Sequence, residues 1–202
     1  MYQSGIVFKS LLFIFALLYA GQTALGQVET KTQPDRDYEL ALQVVIGSNE
    51  AGGSQQLPSS LSNISKQLRS NFAFSNYRMA NSFVGRVSGN GDFEYKSVSN
   101  EFGQEAEGMP QSFLEWSIRG LRVTADGVQP QAFRFGARLP VRVTNARDET
   151  GKTSAVYNYE SIGLNITRVG LQENVPTLLG SLSLPKTNGT LFLVLTVSPV
   201  KR

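Results

Sequence analysis

The sequence contains no cysteine and no histidine. That removes the Ser-His-Asp triad, the thiol nucleophile, the thiolate or imidazole zinc site and the iron–sulfur cluster. Without disulfides, the fold has to stand on its apolar core. Charge is also scarce, with 19 Lys and Arg against 16 Asp and Glu in 202 residues. A net charge of +3 gives no electrostatic reason to expect nucleic acid or anionic lipid as a partner. Long hydrophobic runs are missing too, apart from Leu11 to Ala20.

That run has a specific setting. Lys9 is the only charged side chain before Glu29, and Ala24-Leu25-Gly26 supplies small residues ahead of Gln27. A positive residue, an apolar stretch of about 10 residues and a small-residue cleavage site describe a secretory signal peptide over residues 1–26. A bilayer span needs about 20 apolar residues, and Gly21-Gln22-Thr23 interrupts too soon. The expected mature chain carries no further transmembrane segment, and Gln27 stands where a lipoprotein would need its lipidated cysteine. The expected location is therefore outside the cytoplasm, periplasmic or extracellular.

The polar stretch 27–37 reads as a flexible lead-in, and residues 38–202 as one β-rich domain. Tyr38 to Ile46 is apolar and β-branched enough for a buried strand. After the Gly/Ser-rich segment 47–56, Leu57, Leu61, Ile64, Leu68 and Phe72 recur at helical spacing, placing all five on one face. Asn76 to Val87 is again strand-like, which completes a β-α-β opening. Asn90-Gly91 between Phe83–Val87 and Phe93–Val98 predicts a hairpin, whose central residues need positive φ. Glu101 to Gln111 reads as a loop. Strand-like runs then follow at Ser112–Thr124, Ala132–Val143, Ser154–Leu171, Thr177–Leu184 and Thr190–Val197, with turns at 125–130, 145–152 and 185–189. The expected class is α+β, mostly antiparallel, with one amphipathic helix and a β-sandwich-like domain whose strands occupy 112–202.

Few chemistries remain. Carboxylates group at Asp92 and Glu94, at Glu101, Glu105 and Glu107, and at Asp148 and Glu149, all in loop-like sequence that favours a solvated surface. Asn90 and Asp92 read as turn residues rather than calcium ligands, since no EF-hand loop surrounds them. Ser183-Leu184-Pro185-Lys186 fits S-x-x-K, but Pro185 denies it the helical turn that this pair needs. Leu184 to Gly189 resembles a wall-sorting signal with Asn188 intruding, and reads more simply as a turn before the last strand. The sequons at Asn63, Asn165 and Asn188 matter only in a eukaryotic secretory route. Aromatics at strand spacing, Trp116 among them, belong to cores more often than to ligand platforms. No catalytic, cofactor-binding or metal-ligating residue is singled out, and no cofactor is expected.

Four stretches, FRFGARLPVRV (133–143), VYNYESIGLNIT (156–167), VPTLLGSLSL (175–184) and LFLVLTVSP (191–199), follow one another in an order that resembles the core β-domain of bacterial secretins. The β-α-β opening is similar to the small ring-building domains that precede that core. Between Leu171 and Val175 there is no room for gate or membrane-wall hairpins, so pore formation is not implied. The resemblance implies a sandwich that packs against envelope proteins or copies of itself. The expectation is a non-enzymatic, exported structural or interaction module. The alternatives are a small-molecule or glycan binder using Trp116 and neighbouring aromatics, or a hydrolase built from carboxylates alone.

Overall fold

The computed structural model describes residues 36–50, 56–99, 110–147, 149, 151, 153–185 and 187–200. The expected signal peptide, most of the lead-in, Glu101, Glu105, Glu107, Asp148 and Lys186 lie outside the described residues. Among the described residues, eight strands form two four-stranded antiparallel sheets. The first contains β1 (Asp37–Ser48), β2 (Asn76–Ser88), β7 (Thr177–Ser183) and β8 (Thr190–Pro199), in the order β2-β1-β8-β7. The second contains β3 (Phe93–Ser99), β4 (Ser112–Thr124), β5 (Gly127–Arg147) and β6 (Thr153–Thr167), in chain order. One helix, α1 (Ser62–Asn71), follows a short 3-10 turn at Ser59–Leu61. The protein is α+β, mostly antiparallel and sandwich-like, as its sequence predicts.

Alternation along the strands builds the main core between the sheets. Leu40, Leu42 and Val44 of β1 and Leu191, Leu193 and Leu195 of β8 meet Leu114, Trp116 and Ile118 of β4 and Phe133 and Phe135 of β5. A second core lies on the other face of the first sheet, where Leu61, Ile64 and Leu68 pack on Val45, Tyr77, Phe192 and Val194. Leu57 and Phe72 extend the same helical face, so all five residues at helical spacing are used. β1 and β8 therefore bury both faces at the helix end, which is why VVI and LFLVL read as unbroken apolar runs. The helix end is tied down by Tyr77, whose hydroxyl lies 3.0 Å from the Leu68 carbonyl and 3.1 Å from that of Phe72.

Two irregularities let single strands serve changing surroundings. Val44 pairs with Asn81 and Val45 with Met79, so Ala80 is an extra residue on β2. Before it in the chain Tyr77 and Met79 face the helix; after it Phe83 and Val87 face the sandwich. The second irregularity is at Gly120, where φ is +56°. The buried side chains of β4 change from Leu114, Trp116 and Ile118 to Leu121, and those of β5 change from Phe133 to Pro130 and Val128. Both strands change face together, so their register survives the kink. Glycine suits the position because only it enters that left-handed region without penalty.

Three expectations need correction. Ser88 to Asp92 does turn, with the Gly91 N–H donating to the Ser88 carbonyl at 2.9 Å, but β2 and β3 belong to different sheets. Neither Asn90 nor Gly91 has a positive φ, so the segment is an inter-sheet corner rather than a hairpin. The turn expected at 125–130 shrinks, because β5 begins at Gly127. The polar segment expected as a turn from Asn145 also belongs to β5, as far as Arg147.

Candidate functional site: the open face and arm of the second sheet

Among the described residues, only one side of the second sheet is covered by another layer. Its open face carries alternate residues of β3 to β6, and strand pairing arranges them in cross-strand rows. Lys96, Glu115, Gly136 and Gly163 make one row; Glu94, Ser117, Arg134 and Asn165 lie beside it; Val98, Phe113, Arg138 and Ser161 lie on the other side. The two facing glycines leave a side-chain-free floor in the middle of β5 and β6. Over it runs a shallow trough of about 570 Å³ bordered by Glu115, Arg134 and Asn165, continuing past Arg138 as a second hollow of about 410 Å³. Glycine inside a strand often marks a place where another molecule approaches closely.

The charges on this face fall into two groups. At one end, Arg119 reaches Asp92 at 2.9 Å and Glu94 at 3.4 Å, and Lys96 reaches Glu94 at 2.9 Å. Asp92 also accepts the Gly120 N–H at 2.7 Å, so the corner carboxylate completes the kink in β4. The Gly120 N–H and then the Arg119 guanidinium hold the Asp92 carboxyl below its ordinary range. Glu94 is lowered too, chiefly by Lys96. A carboxylate hydrolase needs one carboxyl raised so that it carries a proton near neutrality, and this pair offers two ionised groups.

The second group is a file of arginines along β5. Arg134, Arg138 and Arg142 recur at every fourth residue, separated on the same face by Gly136 and Pro140. Arg138 has its guanidinium carbon 5.7 Å from the Phe113 ring centre and 5.5 Å from that of Tyr159. Those rings are 5.6 Å apart, and the Tyr159 hydroxyl donates to the Gln111 carbonyl at 2.9 Å. Arg142 donates from Nε to Asn145 Oδ1 at 3.1 Å, and its Nη2 donates to the same oxygen. Among the described residues none of the three makes an ion pair.

Beyond the face, β5 and β6 outrun their neighbours. β4 pairs with β5 only as far as Arg138, whereas β5 and β6 stay paired out to Arg147 and Thr153. From Arg142 to Arg147 and from Thr153 to Val156 every side chain is exposed, so this part is a two-stranded arm that no other described element covers. A register shift between Arg142 and Thr144 pushes out Val143, 52% exposed, close to Val156 at 37%.

Sequence-based candidates fare differently. Trp116 is 2% exposed in the sandwich core, within 4.7 Å of Phe93 ring to ring, so it offers no platform to a glycan. Glu149 is exposed and lies far along the chain from Asp92 and Glu94. Leu184 and Gly189 lie between β7 and β8, where the Leu184 N–H donates to the Gly189 carbonyl at 3.0 Å. Among the described residues no His/Cys/Asp/Glu group has metal-binding geometry, and no helix is long and apolar enough to cross a membrane. The arginine file was not singled out from sequence, although its four-residue spacing within a period-two strand was the available signal.

No protein-family model matches the chain, and no curated protein does. Solved structures do show likeness. The chain is similar to the secretin PilQ of the V. cholerae type IV competence pilus, with a TM-score of 0.37 and 11% identity, over 96% of this chain and 66% of that one. It is similar to the Salmonella SPI-1 type III secretion injectisome secretin InvG, with a TM-score of 0.28 and 12% identity, over 96% of this chain and 70% of that one. For InvG residues 176-end in the open gate state the TM-score is 0.30 at 13% identity, over 96% and 66%. The chain thus spans about two thirds of these secretin chains, and the likeness is a partial and distant one of fold.

Proposed function

We propose that this chain is a non-enzymatic, exported envelope protein that serves as a structural or protein-interaction module. The observation that carries the reading is the arm of β5 and β6. A two-stranded ribbon alone in water is marginal at best, and this one holds Val143 and Val156 toward solvent on strands otherwise rich in Arg, Asn and Thr. Docking against a partner supplies the missing layer. The carboxylates give the opposite picture for catalysis, because Asp92 is held ionised by the Gly120 N–H and Arg119, and Glu94 by Lys96.

A photo-crosslinking residue placed at Val143 tests this in living cells. The expected result is a discrete product with an envelope protein or a second copy, absent when the same residue is placed at Lys66 on α1. No product at Val143 above that control sinks the reading. Mass spectrometry of the mature chain tests export, with Gln27 expected at its N-terminus.

A further inference from the structure

Net charge hides the distribution of charge on the open face of the second sheet. Lys96 and Arg119 are balanced there by Asp92 and Glu94. Among the described residues that leaves Arg134, Arg138 and Arg142 facing a single carboxylate, Glu115, beside a floor of two glycines. We infer that this face is a docking site for an acidic, extended segment of a partner polypeptide, with its carboxylates on the three arginines. This rests on the interaction-module reading and gives it a surface and a chemistry.

Three observations select the occupant. The arginines are four residues apart on one strand, hence about 13 Å apart, the same-face repeat of an extended partner with acidic residues four apart. Arg138 lies over the adjoining Phe113 and Tyr159 rings, which orients its planar donors for a carboxylate at little further entropic cost. Next to it Val98 is 51% exposed and Phe113 44%, so apolar side chains of a partner would add to contacts that charge alone can make. A glycan has none to offer, and a flat lipid surface does not reach down to Gly136 and Gly163.

The test uses fluorescent poly-L-glutamate of about 20 residues, long enough to span the file when extended. Binding to the mature chain is read by anisotropy at low salt. Two triple variants are compared, Arg134→Gln/Arg138→Gln/Arg142→Gln and, with the same change in net charge, Lys66→Gln/Arg86→Gln/Arg168→Gln. Both are first shown by circular dichroism to fold. The expected result is saturable binding weakened about tenfold or more by the first triple and less than about twofold by the second, and abolished near 0.5 M salt. The inference is overturned if poly-L-glutamate does not bind, or if both triples weaken it equally. It is also overturned if dextran sulfate or phosphatidylglycerol vesicles bind through the three arginines while poly-L-glutamate does not. The Val143 cross-link in the arginine variant is read alongside. A retained product with no polyglutamate binding removes this site and leaves the interaction module standing; loss of the product in the wild type removes the module itself.

Discussion

Gly85 of β2 and Phe93 of β3 meet across the two sheets, and substituting the glycine measures that contact directly. A Cβ built on Gly85 would stand 2.2 Å from Phe93 Cε2 and 2.3 Å from Cζ. The ring has little room to retreat, because it also packs 4.7 Å from Trp116, centre to centre. Gly85→Ala therefore overpacks a filled site and is expected to cost about 1–3 kcal/mol. Phe93 is partly buried, so Phe93→Ala should cost about 3 kcal/mol, at the low end of aromatic truncations. In the double variant the methyl enters the space that the ring has left. Its loss should be close to that of Phe93→Ala alone, a coupling of about 1–3 kcal/mol. Urea unfolding followed by tryptophan fluorescence reads this well, since Trp116 is the only tryptophan and lies against Phe93. At a slope of about 2 kcal/mol per molar, Gly85→Ala should lower the midpoint by about 1 M with the slope unchanged. Additivity within about 0.5 kcal/mol would refute the claim that the sheets are spaced by this ring over this glycine.

Two further outcomes follow from the fold. Leu68 is fully buried between α1 and the first sheet, and Leu68→Ala should cost about 2–5 kcal/mol, measured by the same unfolding assay; a loss under about 1 kcal/mol would mean that the helix is not docked there. Asp92 has its folded pKa lowered by the Gly120 N–H and Arg119, so the unfolded chain binds more protons as pH falls. Its contribution is complete above the unfolded value of 3.8 and is lost as pH drops through the lower folded value; acid unfolding of Asp92→Asn should lack that component, and an NMR titration placing Asp92 at or above 3.8 would contradict the geometry.

Where one face of an element was buried, its sequence pattern was clear. β4 runs from Ser112 to Thr124, as its alternation indicates, and the helix buries Leu61, Ile64 and Leu68 in the face that spacing assigned to them. The arm was misread because from Arg142 to Arg147 no side chain is buried, so no alternation exists to distinguish strand from turn. Asn90-Gly91 misled for another reason. A local turn signal reports that the chain reverses, but says nothing about which sheet receives the next strand, and here the strands pair elsewhere. The arginine file was visible as a spacing, yet its meaning lies in what faces it. That Glu94 belongs to Lys96 and Arg119, leaving Arg134 without an ion pair among the described residues, depends on a register that sequence does not display.

The surplus residue at Ala80 gives β2 one residue of slack at that point. Side chains on its sandwich half can be exchanged without touching the half beneath the helix, since each addresses its own interior. Loss of Ala80 would close the bulge and keep Val44 opposite Asn81 and Val45 opposite Met79, so Tyr77 and Met79 would still lie beneath α1. An added residue has no such outlet and would turn them away from the helix. Among sequences related to this one by descent, a one-residue gap at this point should accordingly occur and an insertion should not.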